Sequence, residues 1–104
     1  IFTDTAQNFQ RSGNEDGVAF SLEGIAELCI KIDKPHIAAR LIGWADATRE
    51  KIGDTRPKLE QVDVDKIIAE CLAKMGEVAF SDAYDDGKKM TMDEAVEFAL
   101  TDIP

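Results

Sequence analysis

Histidine is almost missing: His36 is the only one in 104 residues. Cysteine is scarce too, with Cys29 and Cys71 standing 42 positions apart and forming no CxxC pair. Too few imidazole and thiolate ligands remain for a zinc site. Glycine never gathers into a GxxxxGK[ST] or GxGxxG array; Gly53, Gly76 and Gly87 read as isolated helix terminators, so nucleotide binding through either phosphate loop is excluded. No apolar run approaches the roughly 18 to 20 residues that a spanning helix requires, and the mean hydropathy of −0.22 agrees with a soluble chain. Positive charge is also in deficit, 12 Lys and Arg facing 21 Asp and Glu for a net −9. Residues 1–53 hold 8 acids and 6 bases, a balance of −2, whereas residues 54–104 hold 13 and 6, a balance of −7. Nucleic-acid affinity rests on Lys and Arg displacing counterions from phosphate, so direct DNA or RNA binding is not expected. With neither an initiator methionine nor a signal-peptide pattern at Ile1, the chain is expected to be a segment of a larger cytoplasmic protein.

What the sequence does hold is helical periodicity. Val18, Leu22, Ile25, Cys29 and Ile32 step by 4, 3, 4 and 3, predicting one buried stripe on a helix from Glu15 to Ile32. Asp33-Lys34-Pro35 breaks that helix and starts the next, because proline suits a first helical turn and not an interior one. Ala38, Leu41, Ile42, Ala45 and Ile52, with Trp44 beside them, predict a second helix from Pro35 to Ile52, stopped at Gly53-Asp54. So short a link implies an antiparallel pair. Ile1 to Arg11 reads as the remnant of a preceding helix, ended by Ser12-Gly13-Asn14. Thr55 to Glu60, holding Arg56-Pro57, has no period and is predicted as the longest loop. Val64, Ile67, Ile68, Cys71, Leu72 and Met75 predict another helix ending near Gly76, and Val78, Ala79, Phe80, Ala83 and Tyr84 a shorter one running to Gly87. Thr91-Met92-Asp93-Glu94 is a capping box, with Ala95, Val96, Ala99 and Leu100 facing inward behind it. No segment alternates long enough to be a strand. The expected class is all-α.

Chemistry-bearing candidates are few. Asp82, Asp85 and Asp86, followed by Gly87, resemble a calcium loop, but Tyr84 falls on a coordinating position and Asp93 where a bidentate Glu is required. The same three acids could serve a carboxylate-dependent enzyme, since general acid–base work needs two carboxyls in unlike environments. A concave apolar pocket around them would favour that alternative; exposure to solvent would remove it. His36 is expected to be solvated, Cys29 and Cys71 to be buried reduced thiols suited to a reducing compartment, and Trp44 to pack in the core beside Leu41 and Ile37. Metal, cofactor and catalytic residues are all expected to be none.

From Leu22 to Ala45 the residues follow a tetratricopeptide order: Leu22, Ile25, Ala26 and Cys29, then Ala38, Ile42 and Ala45, the small ones letting two helices approach closely. Asp33 replaces the usual turn glycine, Cys29 an aromatic, and no proline closes the repeat. Over residues 18–100 the chain resembles the C-terminal tetratricopeptide-like helical region of large bacterial signalling ATPases and LuxR-type transcriptional regulators. The run Ala38 to Ala45 with Arg49-Glu50 carries this resemblance, as does Gly76-Glu77-x-Ala79-Phe80 continuing through Thr91, Glu94-Ala95-Val96 and Ala99-Leu100. It implies antiparallel helix pairs of α-α superhelix type over residues 1–53 and a helical cap over 54–104. It further implies a tail following an ATPase core and joined to a DNA-binding, adenylate cyclase or protein kinase domain, all outside this chain. No catalytic residue transfers. The expected function is a non-enzymatic protein-interaction or sensor module acting on the parent's own domains or a separate protein, without nucleic-acid or membrane contact. A carboxylate enzyme around Asp82, Asp85 and Asp86, or a purely structural solenoid cap, stands as the alternative.

Overall fold

A computed structural model describes residues 2–102, and among them it contains six helices and no strand. They are α1 (Phe2–Arg11), α2 (Glu15–Lys31), α3 (Pro35–Ile52), α4 (Lys58–Met75), α5 (Glu77–Lys88) and α6 (Met92–Asp102). The start of the first helix expected at Ile1 lies outside the described residues, as do the last positions, 103 and 104, of the segment expected to form a cap.

Caps explain most of the boundaries. Asn14 opens α2 by accepting from the Gly17 amide at 3.1 Å, which satisfies one of the amides that a helix start leaves free. Asp33 takes φ 61° between α2 and α3, a left-handed turn that a short polar side chain tolerates better than most, and so fills the role of the absent turn glycine. Pro35 follows in the first turn of α3. Gly53, at φ 71°, ends α3, with the Asp54 amide donating to the Arg49 carbonyl at 2.9 Å. The Thr91 capping box forms in both directions: the Glu94 amide donates to Thr91 Oγ1 at 3.1 Å and the Thr91 amide to Glu94 Oε1 at 2.9 Å.

Two expectations about boundaries are corrected. The predicted loop Thr55–Glu60 is shorter, because α4 already begins at Lys58 behind Pro57. Its first turn buries nothing apolar, Leu59 being 83% exposed, and periodicity registers only burial. Gly87 is not a terminator either; it lies inside the last turn of α5, buried against α3.

α3 is the centre of the molecule. It packs most extensively on α5 and α2 and also touches α4 and α6, so Ile37, Ala38, Ala39, Leu41, Ile42, Trp44 and Ala45 are buried around much of its circumference. From α2 come Val18, Leu22, Ile25 and Cys29, from α4 Val64, Ile67 and Cys71, and from α6 Ala95, Val96 and Ala99. The stripes end sooner than their spacing predicts: Ile32 and Ile52 are exposed, as are Leu72, Val78 and Ala79. α6 returns to touch α1 and α2. The radius of gyration of 12.3 Å matches the roughly 13 Å of a compact domain of about 100 residues, so the six helices pack as one body.

The α3–α5 crossing is unusually close. A Cβ on Gly43 would lie 2.1 Å from the Tyr84 carbonyl oxygen, and one on Gly87 would lie 1.9 Å from the Arg40 carbonyl oxygen. Glycine at both positions lets backbone meet backbone, which sets how far Tyr84 reaches over α3.

Candidate functional site

Glu23 sits midway along α2, one position from the buried Leu22 and flanked at helical spacing by Ala19 and Ala26. Its carboxylate is therefore carried into the interior and is 6% exposed. Two guanidiniums meet it there. Arg49, from the last turn of α3, donates through Nε to Glu23 Oε2 at 2.9 Å and through Nη2 to Oε1 at 3.1 Å. Arg56, from the α3–α4 loop, donates to Oε2 through Nε at 2.9 Å and Nη2 at 2.5 Å.

The cluster extends outward on its acceptors. Asp46 Oδ1 accepts from Arg56 Nη2 at 2.7 Å, and its Oδ2 accepts from the Tyr84 hydroxyl at 2.5 Å. Arg49 also bonds Asp54, and Arg56 Nη1 donates to Gln61 Oε1 at 2.8 Å. Burial works against the Arg56 charge, yet hydrogen bonds and Coulomb attraction from Glu23 and Asp46 outweigh it and hold the group above its ordinary value. Burial, then the Asp46 bond, raises the Tyr84 phenol and keeps it neutral. Three carboxylates and two guanidiniums thus tie α2, α3, the α3–α4 loop, α4 and α5 together.

Sequence reasoning singles out none of these residues as a site. The available signal is local: Glu23 interrupts a stripe between Ala19 and Ala26, and Arg49 follows Ile42 and Ala45 at core spacing. A charge on an apolar face marks a buried pair, but which partner meets it is decided across separations of 26 and 33 residues.

Outside the cluster, α2 and α4 leave an open groove. One hollow, of about 190 Å³, lies between Phe20, Glu23 and Glu27 on α2 and Glu60, Asp63, Val64 and Ile67 on α4. A second of about 190 Å³ continues it between Glu27, Ile30 and Lys31 and the segment Asp63, Lys66, Ile67 and Glu70. Early α2 faces early α4 and late α2 faces late α4, so the two walls run in the same direction. Glu23, held by its arginines, forms part of one wall.

The expected carboxylate site is not assembled. Asp82, Asp85 and Asp86 lie on α5 rather than in a loop, all three are exposed, and Asp85 pairs with Lys88 at 4.0 Å. Among the described residues no group of three or more His, Cys, Asp or Glu side chains is placed to hold a metal ion. His36 stands in the first turn of α3, and Trp44 is 3% exposed, in the core.

Cys29 and Cys71 are free, buried thiols. Burial pushes Cys29 up from 9.0 to about 11, with Lys34 opposing it, and pushes Cys71 up to about 11, reinforced by Glu70 and by Cys29 itself. Between pH 9 and 11 the folded chain keeps protons that the unfolded chain has released, so stability is complete below about pH 9 and falls as pH rises towards 11. Thermal midpoints measured across this range should fall, with Tyr84 adding to the loss above pH 10. A Cys29→Ala, Cys71→Ala variant should show a flatter fall, and neither native thiol should react with iodoacetamide at neutral pH before unfolding.

Comparison with protein-family models, with curated proteins and with solved structures gives no match to this chain. Among the described residues no helix is long and apolar enough to cross a membrane.

Proposed function

We propose that the chain is a non-catalytic protein-interaction module that binds a partner segment in the α2–α4 groove, as part of a larger regulator. The groove carries this reading. Phe20 is 46% exposed at one end of it, where an aromatic side chain with unburied area is suited to anchor a partner, and the Glu23 cluster beneath holds the walls at a set spacing. Phe20, Ile30 and the buried Val64 and Ile67 lie there among charged side chains of both helices. The catalytic alternative has no comparable support, because Asp82, Asp85 and Asp86 are exposed to solvent along α5.

In this proposal the chain is the tetratricopeptide-like C-terminal region of a bacterial signalling ATPase or transcriptional regulator, working in the cytoplasm, where buried reduced thiols persist. The partner is another domain of the parent or a separate protein, and control follows from the binding free energy coupling the two. Selection of a displayed library of helical peptides on the purified chain tests the interaction. Enriched peptides are expected to shift the amide resonances of α2 and α4. A library that yields no binder at this face removes the proposal.

A further inference from the structure

A separate hollow of about 390 Å³ lies where α3 meets the end of α5 and the start of α6, within the size range of small-molecule sites. Trp44, Ala47, Met90 and Met92 supply its apolar walls. An indole and two flexible thioethers adapt to apolar groups of varied shape.

Thr48 also lines the hollow, although it is only 5% exposed, and its hydroxyl makes no hydrogen bond to any described residue. A buried hydroxyl ordinarily finds a partner. Ser21 on α2 shows the common solution, its hydroxyl donating to the Gly17 carbonyl one turn back at 3.0 Å. Thr48 takes no such bond and is left facing the hollow.

The charges around it favour an anion. Lys51 lies 3.1 Å from Glu15, which is the one acid among the lining residues, and Lys88 has Asp85 at 4.0 Å and the Tyr84 ring at 5.0 Å. Two ammonium groups thus face one carboxylate. α6 also starts here, with Thr91 and Met92 on the wall, and a helix start attracts negative charge. Its capping box claims the Glu94 amide and leaves those of Met92 and Asp93. The acids of that first turn point to other partners: Asp93 Oδ1 accepts from Gln10 on α1 at 2.8 Å, and Glu94 Oε1 accepts from the Thr91 amide at 2.9 Å.

We infer that this hollow binds a small organic anion, a carboxylate or phosphate head on a compact apolar body. The head lies between the Thr48 hydroxyl, Lys51 and Lys88, and the body lies against Trp44, Met90 and Met92. The hollow shares no lining residue with the α2–α4 groove, so this inference stands or falls apart from the interaction proposal.

Four probes test it on the full chain: 3-phenylpropionate, phenyl phosphate, inorganic phosphate and the neutral 3-phenylpropanamide. Binding is read from Trp44, the sole tryptophan, by fluorescence, and mapped by amide shifts. At least one aryl anion should bind about tenfold or more tighter than the amide and than inorganic phosphate, and less tightly as salt rises. Whichever aryl anion binds more tightly distinguishes a carboxylate from a phosphate source. Thr48→Val removes the hydroxyl at nearly constant shape and should weaken that anion about tenfold, the level of a hydrogen bond to a charged group. It should not lower the thermal midpoint, because no bond within the fold is lost. Lys51→Gln with Lys88→Gln should weaken binding by about tenfold, whereas Lys58→Gln with Lys66→Gln on α4 should leave it within about twofold. Equal affinity for the amide, no saturable change with either aryl anion up to about 10 mM, or unchanged binding to Thr48→Val overturns the inference. A clear fall in the Thr48→Val midpoint overturns it as well, since the hydroxyl would then be satisfied inside the fold.

Discussion

Replacing Gly87 with alanine should destabilise the chain by about 3 kcal/mol, the upper part of the usual range for overpacking a core, and lower the thermal midpoint by roughly 15 °C. The sign is diagnostic, because alanine in an ordinary helix interior gains close to 1 kcal/mol over glycine. Here the added methyl would lie 1.9 Å from the Arg40 carbonyl oxygen and 3.1 Å from the Trp44 amide nitrogen. Both are backbone atoms of α3 and cannot swing aside, so α5 must move away. Gly43→Ala meets the same crossing from the other side, 2.1 Å from the Tyr84 carbonyl oxygen, and should cost a similar amount. The double variant should cost less than the sum, since one displacement of α5 relieves both clashes. Gly53→Ala provides the contrast: nothing lies within 4 Å of the place its methyl would take, and only the left-handed backbone at φ 71° opposes it, at about 1 kcal/mol. Urea denaturation followed by Trp44 fluorescence reads all four. A Gly87→Ala chain as stable as the parent would mean that α3 and α5 are not held backbone to backbone.

That crossing also shows where sequence reasoning stops. Helix positions in this chain are written locally, in Asn14, Pro35, Gly53 and the Thr91–Glu94 box, each of which acts on amides within four residues of itself. The apolar stripes of α2 and α3 are equally local, and Val18, Leu22, Ile25, Leu41 and Ile42 are buried as their spacing requires. Gly87 carries no such label. A glycine near a helix end has the same letter whether it terminates the helix or admits a neighbour's backbone, and only the distant Arg40 decides between them. Leu59 and Val78 fail in the opposite sense: they are apolar and in helices, yet 83% and 78% exposed, because no other described element of the chain covers those faces. The tetratricopeptide order of Ala26, Ala38 and Ala45 places small residues that are indeed fully buried, but how successive helix pairs would stack depends on contacts that no spacing within one pair encodes. The groove is harder still, being the space between α2 and α4, two helices that no local spacing places side by side.

The largest single effect is expected at Glu23. Glu23→Ala should cost about 3–5 kcal/mol, the range for removing one partner of a buried ion pair, because two guanidiniums are left without their shared carboxylate. Arg49 retains Asp54, and Arg56 retains Asp46 and Gln61, so the loss falls at the buried centre rather than at the rim. Arg56 bonds the α3–α4 loop to α2, and Gln61 couples it to the first turns of α4. Freeing it should therefore loosen the start of α4 and one wall of the groove. Hydrogen exchange of the amides of Arg56 and of Lys58 to Gln61 should accelerate more than that of the α3 core, and the helical peptides selected on the parent chain should bind more weakly even where the variant remains folded. A triple variant, Glu23→Leu with Arg49→Met and Arg56→Met, separates stability from positioning. Replacing a whole buried ionic group by apolar side chains of similar volume is often neutral or stabilising, so its denaturation midpoint should return towards that of the parent chain. Its groove should not recover, because methionine fills volume without fixing the distance between α2 and the loop. A Glu23→Ala cost below about 1 kcal/mol, the level of a surface pair, would place the cluster in solvent and remove its role as the groove's support.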